Sequence, residues 1–298
     1  MVMHNNMVWF LRYFLMIMVM LPQIGFGQIV QGWVVDDHTQ KKIPYVNIGI
    51  LRGERGTVSD EQGYFYLDLS GAKSDATLRF SFIGYERKDF SIAEISQVCS
   101  KDRTVRLIPK VLEMHEIVVY PREYVEKVVG NPNPLRTAFA GFKNDSLGYE
   151  LGIRVRIKKR PTILKELRLH GLTTSYDTVF YRLNVYEMDG RLPGRNILNS
   201  PIYITITDFK GIQRESIADV AYEYTPGEER TIDLTPYHIV VQDNFVITLE
   251  YVKELGEGKL QLKTGILSGK TFFRKTSQAE WHSAPLGLGM SVLIRYEK

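Results

Sequence analysis

The 298-residue chain carries one cysteine, Cys99. A single thiol cannot close an internal disulfide, so stability has to come from packing. Cys99 lies in the apolar stretch ISQVCS, where a buried free thiol is expected rather than a nucleophile. Catalytic signatures are missing as well. None of the 6 histidines has glutamate three residues on, and HExxH is absent, so the convergent ligands of a zinc peptidase are not there. GxSxG, the Walker loop and the dinucleotide fingerprint are absent. Long amphipathic helical patterns are lacking, which disfavours α/β folds. Charge is close to balanced, with 38 basic and 34 acidic residues, too even to argue for nucleic acid. No motif calls for a metal or a cofactor.

The N-terminus departs from this mixture. MVMHNNMVWFLRYFLMIMVMLPQIGFGQ contains Arg12 and no acid. An apolar run from Tyr13 to Leu21 follows, then Pro22 and the small residues Gly25 and Gly27. That order fits a secretory signal over residues 1–27, with Gln28 as the mature start. The apolar run is shorter than the roughly 20 residues of a comfortable membrane span. No cysteine near the exit supports a lipid anchor. The expectation is an exported protein of the periplasm or outer membrane, retained as an anchored form if the segment is not cleaved.

Beyond the signal, short alternating segments recur between Gly, Pro, Asp and Asn, the pattern of β-sandwiches. Val30 and Val34 alternate with Gln31 and Trp33, and Val46, Ile48 and Ile50 share a face. So do Phe65, Leu67 and Leu69, and then Leu78, Phe80 and Phe82. One helical turn is expected near 92–98. Residues 28–109 form a first sandwich on this reading. Residues 110–146 read as a linker with a short strand at 117–119 and a short helix at 122–129. Residues 147–298 are again strand-rich, with stripes at Leu151, Ile153 and Val155, at Val179, Tyr181, Leu183 and Val185, at Ile202 and Ile204, and at Phe245, Ile247 and Leu249. A long loop is expected over 188–200. The fold class expected is all-β, a transthyretin-like β-sandwich followed by a jelly-roll-like β-sandwich.

Three stretches carry a resemblance: IVQGWVVDDHTQKKIPYVNIGI (29–50), GTVSDEQGYFYLDL (56–69) and LRFSFIGYERKDF (78–90). In this order and spacing they resemble the carboxypeptidase-regulatory-like domain, which implies a transthyretin-like sandwich and an accessory role. In Gram-negative envelopes such modules often precede TonB-dependent receptors, and MHEIVVYP keeps a faint likeness to the segment that follows them there. Only about 150 residues follow the linker, too few for a plug and a large barrel, so a transporter is not expected. DLTPYHIVVQDNFVITLEYV (233–252) and FFRKTSQAEW (272–281) resemble an uncharacterised β-rich envelope domain.

GTVSDEQGYFYLDL itself raises the question of a calcium loop. Asp60 and Glu61 are adjacent rather than alternating, so the stretch reads as a tight hairpin turn with Gly63 at an unusual φ. Ligand binding is better sought at loop ends. Tyr186, Asp189, Arg191 and Arg195 suit sugar recognition by stacking and hydrogen bonds, and Trp281 with His282 forms a second group. Arg154, Arg156 and Lys158, extended by Lys159 and Arg160, form a basic strand face that suits anionic partners or is merely a solvated surface. Glu166, Glu187 and Glu250 are the carboxylates a hydrolase would need, with Glu250 expected at the surface. The expected function is a non-enzymatic binding or assembly protein of the envelope, with an envelope protein or a glycan as partner and peripheral contact with the outer membrane. A carbohydrate-binding accessory protein and an envelope hydrolase are the alternatives.

Overall fold

Alternation of buried and exposed residues builds two sandwiches in turn. The structure, a computed structural model, describes residues 29–110, 123–132, 139–143, 146–174, 176, 178–207, 213–217, 220–224, 229–253 and 258–298. The signal-like segment 1–27 and the strand expected at 117–119 lie outside the described residues.

The N-terminal unit comprises β1 (Ile29–Asp36), β2 (Asn47–Ile50), β3 (Gly56–Val58), β4 (Tyr64–Asp68), β5 (Thr77–Ser81), β6 (Lys88–Ser91), α1 (Ile92–Lys101) and β7 (Thr104–Leu107). One sheet runs β4-β1-β7 and the other β3-β2-β5-β6. Their facing side chains, among them Val30, Val34, Phe65 and Leu67 against Ile48, Leu78 and Phe80, form a single core. This is the β-sandwich expected from the alternation. The helical turn expected at 92–98 is a full helix to Lys101. Ser91 caps it reciprocally with Glu94, and Ile92, Ile95 and Cys99 face the core. Burial raises the Cys99 thiol pKa, consistent with a packed, unreactive side chain.

The 56–69 stretch turns differently from the expected hairpin. β3 pairs with β2, whereas β4 pairs with β1. The turn therefore carries the chain from one sheet to the other. Asp60 holds this corner, its Oδ1 accepting the amides of Gln62 and Tyr64, each at 2.8 Å. Gly63 sits at φ 71°, and a Cβ there would come within 3.0 Å of the carbonyls of Ile43 and Val34. Buried Ser59 accepts the Val46 amide at 2.8 Å.

The C-terminal unit comprises β8 (Tyr124–Gly130), β9 (Phe139–Lys143), β10 (Glu150–Val155), β11 (Thr162–His170), β12 (Thr173–Thr174), β13 (Thr178–Asp189), β14 (Leu192–Asn196), β15 (Ile202–Thr207), β16 (Gln213–Ile217) and β17 (Val220–Tyr224). It continues with β18 (Glu229–Asp233), β19 (Val240–Val241), β20 (Phe245–Tyr251), β21 (Lys259–Arg274), β22 (His282–Leu288) and β23 (Met290–Glu297). The larger sheet has the central order β13-β20-β10-β21. The smaller runs β18-β11-β23-β8. Leu151, Ile153, Leu183, Val185, Ile247 and Leu249 from the larger sheet pack against Leu164, Leu167, Val292 and Ile294 from the smaller. Antiparallel neighbours that are distant in sequence make this a jelly-roll-like sandwich.

Two local expectations are corrected. The helix expected at 122–129 is strand β8, paired with β23 from Ser291↔Gly130 to Glu297↔Tyr124. Its Val125, Val128, Val129 and Tyr124 suit a strand, and pairing along a sheet edge overrides weak helical spacing. The stretch expected as a linker thus supplies β8 and also β9, which pairs with β21. The loop expected at 188–200 is mostly a hairpin, in which Asp189 pairs with Leu192 and Tyr186 with Asn196.

The two sandwiches touch through polar and apolar contacts. Tyr45 packs on Phe180 and Tyr203, with ring centroids 5.3 Å apart in both pairs. The turn after β21 presses against β2 and β3, and a Cβ on Gly49 or Gly56 would stand 2.1 or 2.4 Å from the Ser277 carbonyl oxygen. Gln278 Nε2 donates to Ser81 Oγ at 2.8 Å, and the Arg52 amide to the Gln278 carbonyl at 2.9 Å.

Gly49→Ala is expected to loosen this contact at a cost of about 1–3 kcal/mol, because backbone rather than a flexible side chain must yield. Calorimetry should show a lowered transition; an unchanged Tm would rule out the close approach. Asp60→Ala is expected to cost about 1–2 kcal/mol, since two amides lose their acceptor. Urea unfolding checks it, and a melting temperature that responds to calcium in the wild type would reopen the metal reading of the corner.

Candidate functional site

The larger C-terminal sheet buries both of its faces at one end. Arg182 on β13 stands opposite Glu250 on β20, Glu250 opposite Glu150 on β10, and Glu150 opposite Arg274 on β21. Register and pleat therefore set Arg, Glu, Glu and Arg in one row across four strands, on the face turned from the core. In a lone sandwich that face would meet water. Here Arg182 is 2% exposed, Glu150 and Glu250 0%, and Arg274 8%.

Each charge is held by more than its neighbour. Arg182 donates to Glu250 Oε2 from Nε at 3.1 Å and from Nη2 at 2.8 Å. It also reaches the N-terminal sandwich, donating through Nη1 to the Tyr45 carbonyl at 2.6 Å and through Nη2 to Asn47 Oδ1. Asn184 Nδ2 bridges Glu150 and Glu250 at 2.9 and 2.8 Å. Glu150 accepts from Thr248 Oγ1 and from the Tyr186 hydroxyl, and pairs with Arg274 at 2.5 Å. Arg274 Nη2 lies 3.7 Å from Glu250 Oε1, an atom with no hydrogen-bond partner among the described residues.

The two acids differ in their preferred state. Burial raises the Glu150 pKa, and the neighbouring Glu250 charge adds to the rise against the pull of Arg274. Burial acts on Glu250 as well, but Arg182 and Arg274 together bring its pKa below the ordinary value. A proton entering the pair goes first to Glu150.

Above this row opens a cleft of about 900 Å3 between the sandwiches. Arg182, Asn184, Tyr186 and Arg274 form its floor, so Glu150 and Glu250 lie behind the surface that a ligand would touch. The N-terminal wall includes Arg52, Arg79, Tyr85 and Arg87. Asp189, Arg195, Asn196 and Trp281 stand on the C-terminal wall. Trp281 lies edge-on to Tyr186 with centroids 5.4 Å apart, and the Arg274 guanidinium sits 5.0 Å from its ring centre.

Four of the residues expected to bind ligand converge here: Tyr186, Asp189, Arg195 and Trp281. The 186–196 hairpin and the segment after β21 bring them together. Tyr186 is 7% exposed and engaged through its hydroxyl, so it supports the floor rather than offering a stacking face. Arg195 is anchored by Glu187, with Nε to Oε1 at 3.2 Å. Arg191, at the exposed hairpin tip, does not line the cleft. Nor does His282, which stacks on Phe273 at 5.4 Å on the other face of the sheet from Trp281.

The expected carboxylates do not meet. Glu166 is on the smaller sheet and pairs with Arg168 at 2.8 Å, and Glu187 pairs with Arg195. Glu250, expected at the surface, is fully buried because Arg182, Tyr45 and Asn47 cover it. Its partner Glu150 was not singled out. The available signal was the stretch FVITLEYV, apolar in both phases and interrupted only by Thr248 and Glu250, which marks a strand covered on both sides and hence a buried acid.

Residues 30–119 match the family model of the CarboxypepD_reg-like domain. That match covers the N-terminal sandwich. No curated protein matches the chain. Among solved structures, that of the infectious bursal disease virus Gt strain aligns at 8% identity and TM-score 0.19, over 90% of this chain and 61% of that one. The VP2 subviral particle of the same virus aligns at 8% identity and TM-score 0.16, over 91% and 60%. The chain spans about three fifths of the length of those chains, and overlap this slight defines no common fold.

Glu250→Gln is expected to destabilise the protein by about 3–5 kcal/mol at neutral pH, because it strands the Arg182 charge. Glu150→Gln should cost clearly less, since Gln mimics the neutral form towards which burial pushes that acid. Because the Glu250 pKa is lowered in the fold, its contribution is present above the ordinary value of 4.5 and is lost as pH falls through the lowered one. Urea unfolding of both variants at neutral pH and near pH 4 checks the order and the narrowing of the Glu250→Gln deficit in acid. Equal costs for the two variants would contradict the assignment.

Proposed function

We propose that the protein is an exported, non-catalytic binding protein of the cell envelope, and that its ligand is a glycan seated between the two sandwiches. The observation that carries this reading is the convergence of Trp281, Asp189, Arg195 and Asn196 on one wall of the cleft, above a prearranged polar floor. An aromatic ring beside amide, carboxylate and guanidinium groups offers a sugar a stacking face together with donors and acceptors. Export is supported by the order of basic, apolar and small residues over 1–27. A regulatory-type module as the facing wall agrees with an accessory role.

A hydrolase has weaker support. A glycosidase pair acts with carboxyl groups about 5–10 Å apart and open to the sugar. Glu150 and Glu250 are instead bridged by one amide and tied to two arginines behind the floor.

Titration of the full chain with a panel of soluble envelope oligosaccharides, followed by tryptophan fluorescence, should give a saturable change. Trp281→Phe, which removes that reporter and is therefore titrated by calorimetry beside the wild type, should keep the fold and weaken binding by about tenfold or more, the scale of one stacking contact. No response to any oligosaccharide, together with recovery of a specific protein from envelope fractions, would replace the glycan reading by an assembly role.

A further inference from the structure

A second groove, of about 590 Å3, opens where β10 runs past β8 in the larger sandwich. Lys127 from β8, Arg154 and Arg156 from and just beyond β10, and Lys270 from β21 all line it. No acidic side chain lines it among the described residues. The rest of its lining is apolar at Val128, Val129 and Ile153 and backbone at Gly130, Gly269 and Gly287, with Asn131 at one end. Asn131 Nδ2 donates to the Gly287 carbonyl at 2.5 Å and ties that end to β22.

Strand pairing explains the opening. β10 pairs with β20 as far as Val155, but its pairing with β21 stops at Ile153↔Thr271. The register of β21 against β22 also shifts between Ile266 and Thr271. The sheet therefore parts beside Arg154, leaving a seam instead of a continuous ladder.

The chain pairs cations in many other places. Arg160 meets Asp243 at 2.9 Å, Arg168 meets Glu166 at 2.8 Å, and Arg295 meets Glu126 at 2.6 Å. Lys127, Arg154, Arg156 and Lys270 have no acidic partner among the described residues. Lys270 rests its ammonium 5.0 Å from the Phe272 ring centre, which holds it beside the groove. Like charges gathered in a concave seam with apolar and backbone walls concentrate a positive potential.

We propose that this groove binds a multiply phosphorylated group. Its charges come from three strands and surround a space, whereas a single solvated strand face would present its cations in a line. Two guanidiniums supply bidentate donors for phosphoryl oxygens, and two ammonium groups supply mobile point charges. The same chemistry can reside on a lipid headgroup or on a soluble polyphosphate.

Calorimetric titration of the full chain with tripolyphosphate, and co-sedimentation with vesicles of cardiolipin, whose headgroup carries two phosphates, against phosphatidylcholine vesicles, distinguish these sources. Binding by either probe should weaken about tenfold or more in Arg154→Gln/Lys270→Gln, and weaken with added salt. Lys41→Gln/Lys42→Gln, which removes two charges from the other sandwich, should leave it within about twofold. Tripolyphosphate binding without vesicle binding assigns a soluble ligand; vesicle binding lost in the groove variant assigns a headgroup. Failure of both probes, or equal loss in the two double variants, overturns the proposal. Circular dichroism of each variant confirms that the fold is retained.

Discussion

Four charges in a row across β13, β20, β10 and β21 set the arrangement of the molecule. Arg182, Glu250, Glu150 and Arg274 lie on a sheet face that a lone sandwich would leave in water. Burying them is unfavourable unless every charge finds a partner in good geometry. The set is complete only when the N-terminal sandwich is docked, because Arg182 spends two donors on Tyr45 and Asn47. The row therefore contributes more to orientation than to net stability. A displaced sandwich would leave a guanidinium buried beside a carbonyl it cannot reach.

Apolar contacts supply the attraction that the charges cannot. Tyr45, Phe180 and Tyr203 form an aromatic wedge, and Val58 packs with Val252 beside it. Gly49 and Gly56 then let the Ser277 carbonyl approach more closely than any side chain permits. Oily contact, backbone approach and charge row act along one interface. The cleft is what remains where the two surfaces diverge beyond the row, so its floor inherits the rigidity of the interface. A floor of this kind suits recognition, which rewards groups already held in place.

Much of the fold was legible because alternation is a direct record of a half-buried strand. Phe65, Leu67 and Leu69, or Leu183 and Val185, announce their faces without further information. Pairing is not recorded in the same way. GTVSDEQGYFYLDL shows a turn, but nothing local says that β3 and β4 leave it for different sheets. Residues 124–130 joined β23 for a reason that lies more than a hundred and fifty positions away. The site was legible in pieces. The 186–195 segment and Trp281 were visible as separate polar and aromatic loops, and only the fold brings them to one wall.

Glu250 shows where the alternation rule misleads. Its phase opposite Ile247 and Leu249 says outward, and on a sheet with one wet face outward means exposed. Val246 and Thr248 share that outward phase, and both are buried. A strand whose two phases are both apolar has no wet face, so an acid within it needs a buried cation. The nearest cation in register is Arg182, which occupies the corresponding phase between Tyr181 and Leu183. An out-of-phase arginine in one apolar strand and an out-of-phase glutamate in another thus point to a covered face. The second sandwich supplies the cover, and the interdomain cleft follows from the same two residues.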